Sequence, residues 1–278
     1  MHSKKIAGIL KKTVMYTFMI LLGLTMIAPF IWMLSTSLKE PANVFIFPPK
    51  WIPNPIVFEN YAHAWQAAPF GRFFLNSIFI SACLTFGSLL TGSMAGYAFA
   101  RLEFPGRDKL FLTYLGTMMI PGQVTMIPVF ILLKNIGWID TYKALIIPGI
   151  FHAGGAFFFR QFFLAIPKEL EEAATIDGCS HVGIYWRIIL PLSKPALATL
   201  GTFTFLGAWN DFMWPLIVLN SPEKMTLPVG LAYFTGQYTT DWPLLMAGSM
   251  IILLPVILLY IFNQRFFVKG IVMSGMKG

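Results

Sequence analysis

Apolar residues in this chain run in long blocks rather than alternating. Six blocks reach the length that a roughly 30 Å hydrocarbon layer requires of a helix. They fall at residues 14–36, 74–99, 109–133, 144–165, 196–219 and 243–264. Polar residues are confined to the connections, and one connection, residues 167–194, is long enough to fold by itself. Segments of about ten alternating residues, the mark of a membrane β-barrel, are not visible. Lipid offers backbone groups no hydrogen-bond partners, so the blocks predict helices, or broken helices shielded by protein. The expected fold is an all-α polytopic membrane protein with six transmembrane helices in one domain, residues 1–278.

Composition strengthens this picture and orients it. The chain is 56% hydrophobic and 12% charged, with a mean hydropathy of +0.69, outside the range of an ordinary soluble domain. With the N-terminus inside, 14 of the 20 Lys and Arg fall on the inner side, which favours two cytoplasmic termini and a cytoplasmic 167–194 loop. The net charge of +8 then reflects topology and contact with anionic lipid rather than nucleic acid. Lys4 to Lys12 resemble the basic start of a signal peptide, but the apolar run behind them is too long and contains Trp32. The first block is therefore expected to remain as an uncleaved helix.

Several chemistries are not supported. Cys83 lies in the second block and Cys179 in the polar loop, so no disulfide is expected. His2, His63, His152 and His181 are scattered, with no metal-ligand spacing. No G-x-x-x-x-G-K-[ST] phosphate loop occurs, so ATP is not bound here by the usual device. Paired acids, or a nucleophile beside a base, do not appear within the blocks, which leaves no catalytic residue to name.

The polar loop carries the most specific pattern: Glu172-Ala173-Ala174, three residues, Gly178, nine residues, Ile188, one residue, Leu190-Pro191. Pro167 suits a first helical turn, and Glu169, Glu171 and Glu172 put negative charge near the positive helix end. Asp177-Gly178 is where a cap with positive φ falls, and Ser180 can cap a second short helix ending at Pro191. Two short helices hinged at a glycine predict a compact knob, with Ala173 and Ala174 keeping one side thin for close approach by a partner. The pattern resembles the signature cytoplasmic loop of the membrane subunits of binding-protein-dependent ABC importers.

That resemblance implies the type I importer permease fold, with residues 167–194 as the coupling helix that enters a groove on a separate ATPase. Glu172, Ala173, Ala174, Asp177, Gly178, Ile188, Leu190 and Pro191 are then the coupling residues. It also implies the partners: a homologous permease subunit in a heterodimer, two ATPase subunits that hold ATP and Mg, and an extracytoplasmic binding protein. The location is the bacterial cytoplasmic (inner) membrane.

A second distinctive run, Trp209-Asn210-Asp211-Phe212-Met213-Trp214-Pro215, lies in the fifth block. Asp211 is the one acid deep in any block, and a charge there costs about 2.5–3.5 kcal/mol on insertion scales, so it should face protein or a watery cavity. Pro215 removes a backbone bond and can open a polar step beside it. Trp209 and Asn210 are expected to line a translocation pathway with Asp211 supporting them; a purely structural Asp211 is the alternative. Here the chain is similar to the carbohydrate-uptake permeases of the maltose type. The tail Ser274-Gly275-Met276-Lys277-Gly278 is similar to that branch's smaller subunit, whose tail reaches between the ATPases. The resemblance thus implies a carbohydrate cargo, a di- or oligosaccharide, with glycerol phosphate or a polyol as the nearest alternative. An ion-coupled secondary transporter is the rival from another class, resting on Asp211 alone.

Weaker signals complete the picture. Pro121, Gly122, Gln123 and Pro128 are expected to interrupt the third block, which makes Gln123 a further pathway candidate. Gly92 and Gly96 form a G-x-x-x-G read as helix packing. His152 suits either a pathway or an interhelical hydrogen bond. Residues 37–73, rich in Pro and aromatics, suggest a folded surface cap. In residues 220–242, Tyr233, Gln237, Tyr238 and Trp242 suit either sugar stacking or an interfacial aromatic belt.

Overall fold

A computed structural model of the chain describes residues 2–236 and 239–275, with side chains for residues 8–236 and 239–264. The helices in chain order are α1 (His2–Ser37), α2 (Glu59–Gln66), α3 (Phe70–Arg101), α4 (Arg107–Gly116), α5 (Gly122–Asn135), α6 (Lys143–Gly149), α7 (Ala153–Leu164), α8 (Glu169–Ile176), α9 (His181–Ile184), α10 (Leu190–Leu192), α11 (Lys194–Trp209), α12 (Met213–Val218), α13 (Leu227–Gly230) and α14 (Trp242–Gly275). Among the described residues no strand forms, and Thr235 and Thr240 make an isolated bridge.

Three helical stretches are individually long and apolar enough to cross a membrane: Gly8–Ser37, Phe70–Arg101 and Trp242–Gln264. Six is reached if each of three bent helix pairs counts as one span. The expected third block turns through 96° between Met119 and Gly122. Pro121 excludes the helical conformation from Ile120, which is extended. Pro128, expected to interrupt the block as well, lies inside an unbroken α5. The expected fifth block is two helices, α11 and α12, parted at Asn210–Phe212. Pro215 sits in the first turn of α12, where its missing N–H has no intrahelical partner to lose. The fourth block is also broken, at Ile150–His152, which its apolar sequence did not announce.

The chain groups into two compact units, Met1–Ala68 with Leu231–Leu253, and Pro69–Gly230 with Leu254–Gly278. In the first, the end of α1 carries the folded cap expected of the Pro- and aromatic-rich segment. Asn60 donates its amide to the Ser37 and Lys39 carbonyls (3.0 and 2.8 Å). The Ser35 hydroxyl donates to the Trp51 carbonyl at 2.5 Å, and Trp32 meets Trp51 edge-on at 5.1 Å between centroids. Lys39 is buried with its ammonium 4.0 Å from the centre of the Trp32 ring, and burial pushes its pKa down. Trp242 meets Phe45 edge-on at 5.7 Å. Tyr233 is exposed, whereas Gln237 and Tyr238 lie outside the described residues.

In the second unit α3 is the central element. A Cβ on Gly92 would lie 3.2 Å from the Gly155 backbone, and one on Gly96 would lie 2.6 Å from Cβ of Phe159. The G-x-x-x-G stripe is therefore the contact with α7, as its spacing predicts. His152, at the cap of α7, accepts from Gly155 N–H through Nδ1 (2.9 Å) and pairs through Nε2 with the Ser88 hydroxyl of α3 (2.5 Å). That is the interhelical alternative. On another connection Asp140 adopts φ +61°, a conformation Asp tolerates. Its carboxylate accepts from Asn220 and Ser221 N–H (3.0 and 2.9 Å), from the Ser221 hydroxyl, and from Lys224 Nζ at 2.8 Å. Burial alone would raise its pKa, but these donors outweigh it and hold the carboxyl well below the usual carboxylate range.

Candidate functional site

Residues 167–194 fold into the two-helix knob. Glu169, Glu171 and Glu172 occupy the first turn of α8. The helix ends in a complete glycine cap. Gly178 lies at φ +83°, its N–H bonds the Thr175 carbonyl (3.0 Å), and Cys179 N–H reaches back to Ala174 (2.9 Å). Ser180 then caps α9 by accepting from Gly183 N–H at 3.3 Å. The second helix continues through a π-turn, Tyr185–Ile189, into α10 and ends at Leu192. The wide turn falls just before Pro191, whose ring would clash with the Arg187 carbonyl in a regular α-helix.

The inner face of the knob is apolar. Ala174, Ile184, Tyr185 and Ile189 share one buried cluster with Tyr97, Phe159 and Phe163, and Ile188 and Leu190 are half-buried against it. Tyr185 and Ser93 pair through their hydroxyls at 2.7 Å. This corrects the expectation for Ala174: its small side chain permits close packing onto the chain's own helices, and it is not part of a thin outer surface. Ile188 and Leu190 likewise face mostly inward, whereas Glu172, Ala173, Asp177, Gly178 and Pro191 are exposed. The outer face carries large apolar groups that the sequence pattern did not single out: Ile176, Val182 and Trp186 are 87%, 67% and 53% exposed. Their signal was available as apolar residues on the polar side of an amphipathic helix. Of the tail, Ser274 and Gly275 end α14, and Met276, Lys277 and Gly278 lie outside the described residues.

Arg101, the last residue of α3, joins the knob to the helices above it. Its Nη2 donates to the Phe163 carbonyl (2.7 Å) and the Ile166 carbonyl (2.5 Å). Its Nε lies 2.7 Å from Glu171 Oε1 of α8, with the two side chains only 4% and 15% exposed.

A cavity of about 420 Å³ opens where the three broken spans meet. Leu84 of α3 lines it, with Gly122, Thr125, Met126 and Val129 of α5, Leu145, Pro148 and Gly149 around the end of α6, and Thr204, Gly207, Ala208, Asp211 and Trp214 around the α11–α12 break. Breaks there leave backbone polar groups free to face a cavity rather than lipid. Asp211 is the ionisable side chain of this wall among the described residues, and it accepts from Trp214 N–H at 3.4 Å. Trp214 is fixed in turn by its indole N–H, 3.3 Å from the Ala144 carbonyl.

The other expected pathway residues are placed differently. Trp209 is fully buried, stacked on Phe205 (5.7 Å, 13°) and edge-on to Phe74 (5.8 Å). It is a packing residue: α11 ends at Trp209 itself, and its indole turns inward. Asn210 is exposed, and its amide donates to the Leu206 carbonyl at 2.8 Å. It caps the end of α11 and does not line the cavity. Gln123 is exposed on α5, off the lining face made by residues 122, 125, 126 and 129. Trp214, from the same sequence run, is the aromatic residue that reaches the wall.

Residues 88–272 match the family described as "Binding-protein-dependent transport system inner membrane component". The chain is 40% identical over 245 residues to the arabinooligosaccharides transport system permease protein AraQ of Halalkalibacterium halodurans, covering 88% of this chain and 86% of that one. It is 34% identical over 243 residues to the sn-glycerol-3-phosphate transport system permease protein UgpE of Yersinia pestis, covering 84% and 86%. Its fold is similar to that of a chain in the crystal structure of a bacterial ABC transporter involved in the import of the acidic polysaccharide alginate. That match has a TM-score of 0.83 and 25% identity, and covers 96% of this chain and 98% of that one.

Proposed function

The chain belongs to the binding-protein-dependent transport system inner membrane components, and from that membership we propose that it is a permease subunit of a bacterial ATP-driven ABC importer for a carbohydrate, a di- or oligosaccharide. The observation that carries this reading is the exposed knob at residues 167–194 on the same helices that wall a cavity at three broken spans. The knob is the docking element for a separate ATPase: Glu172, Ala173, Asp177 and Gly178 present its polar surface, and Ile176, Val182 and Trp186 its apolar one. The chain itself carries no phosphate-loop motif, so ATP and Mg are held by the partner. A second permease subunit completes the pathway, and an external binding protein delivers the cargo. Movement of the knob by the ATPase swings packed helices as bodies, so that the cavity opens alternately to the two sides.

The identity to AraQ supports an oligosaccharide. The identity to UgpE supports a second reading, a glycerol phosphate. The cavity wall weighs against it, since it bears the Asp211 carboxylate and no Lys or Arg among the described residues. A phosphate would find no cationic side chain there to offset its charge. The tagged chain, co-expressed with its genomic neighbours, should retain an ATPase and a second permease through purification. Addition of sugar-loaded binding protein should stimulate ATP hydrolysis by the complex. A chain that purifies alone under conditions that preserve other such complexes would contradict the reading.

A further inference from the structure

Resting on that reading, we propose that Arg101 and Glu171 form the joint that transmits movement of the knob to the helices lining the cavity. Glu171 is then the acid that ties the knob to this chain's own helices, behind the exposed Glu172 of the docking surface. The geometry supplies each link. Arg101 ends α3, where the free carbonyls of a helix terminus favour a cation. Its Nη2 closes the carbonyls of Phe163 and Ile166 at the end of α7, and its Nε lies in ion-pair contact with Glu171 Oε1 in the first turn of α8, without hydrogen-bond alignment. A planar, rigid guanidinium can face three groups at once, which an ammonium on a flexible stem cannot. The ends of α3, α7 and α8 therefore meet on one nearly buried side chain.

From that point the path to the cavity is continuous packing. α3 and α7 approach closely at Gly92, which faces the Gly155 backbone, and at Gly96, which faces Phe159 and the Arg160 backbone, so they move as a pair. Toward the far end, Thr91 of α3 donates to the Ile150 carbonyl and Ser88 pairs with His152. These bonds hold the α6–α7 break, and Pro148 and Gly149 immediately before it line the cavity, as does Leu84 of α3. A displacement of α8 enters at Arg101 and is delivered to residues 148 and 149 without crossing a flexible segment. Apolar contacts of Ala174 with the core attach α8 as well, but such contacts slide, whereas two opposite charges held 2.7 Å apart and nearly buried resist separation.

The test uses the whole complex in proteoliposomes with ATP inside and sugar-loaded binding protein outside, reading sugar transported per ATP hydrolysed. Glu171→Ala leaves both Arg101–carbonyl bonds in place and puts a strong helix former on α8. Transport per ATP is expected to fall about tenfold, an ordinary size for a coupling free energy, while the ATPase still co-purifies. Glu169→Ala, an exposed acid one position into the same helix, is expected to leave the ratio unchanged. Arg101→Lys is expected to lower it as Glu171→Ala does. A purely structural role would reduce the yield or melting temperature of the complex and leave transport per ATP at the wild-type value. That result for Glu171→Ala overturns the proposal. Loss of the ATPase from the wild-type complex would instead overturn the functional reading beneath it.

Discussion

Gly178 offers a clean separation between backbone geometry and partner contact. It sits at φ +83° with no atom within 4 Å of where a Cβ would be, so a side chain there meets no steric obstacle within the chain. The cost of substitution is then the left-handed conformation itself, about 1–2 kcal/mol for an L-residue, least for Asn and most for a β-branched residue. Such a cost lowers the population of the capped knob relative to uncapped alternatives by up to about 5–30-fold. On the proposed function docking selects the capped form, so the apparent affinity for the ATPase is expected to fall by the lost fraction. Binding of the purified ATPase to Gly178→Asn, Gly178→Ala and Gly178→Val chains should weaken in that order. The melting temperature of the spans should stay near wild type. Side-chain volume would predict a different order, with Ala mildest and Asn intermediate. Observing that order, or wild-type binding by the Val variant, would refute the cap argument.

Glu172→Lys should weaken ATPase binding more than Glu172→Gln, with the gap narrowing as salt is raised; equal binding by both at low salt would remove Glu172 from the interface. Trp209→Ala should destabilise the solubilised chain by about 3–5 kcal/mol, read as a lowered unfolding midpoint. Unchanged stability with lost transport would return the indole to the cargo pathway. Asp140→Asn tests the pinned connection. Because the folded pKa of Asp140 is depressed, its ionised form contributes stability above the ordinary carboxylate range, which is lost only as pH falls through the lower folded value. The stability gap between wild type and variant should therefore persist from pH 7 down to pH 5. A gap that closes within that range would show that other groups set it.

Features governed by local rules were legible from sequence. Gly178 and Ser180 follow capping chemistry, which needs only neighbouring residues, and both caps form as their spacing implies. Gly92 and Gly96 announce close helix packing because small residues four apart share one face. Pro121 breaks the third span because it constrains the residue before it. Pro128 does not, since its lost bond is local and the flanking turns of α5 continue past it. Direction around a helix was harder to read. Gln123 lies one residue from the lining position 122, and Trp209 turns inward because α11 ends at residue 209, a boundary its apolar sequence does not mark. Trp214, five residues on, reaches the cavity wall instead. The Arg101–Glu171 pair joins residues 70 apart, and no local pattern links them. Asp140 depends on a loop from another part of the chain in the same way.

On the proposed function this chain moves sugar at the expense of ATP hydrolysed by a partner. The most direct measurement is uptake of a labelled neutral oligosaccharide into proteoliposomes holding the chain, its partner permease, the ATPase and the binding protein. Accumulation is expected to require ATP inside, to be abolished by a hydrolysis-deficient ATPase, and to persist when ionophores dissipate proton and sodium gradients. Uptake that continues without ATP and collapses with the ion gradient would contradict it.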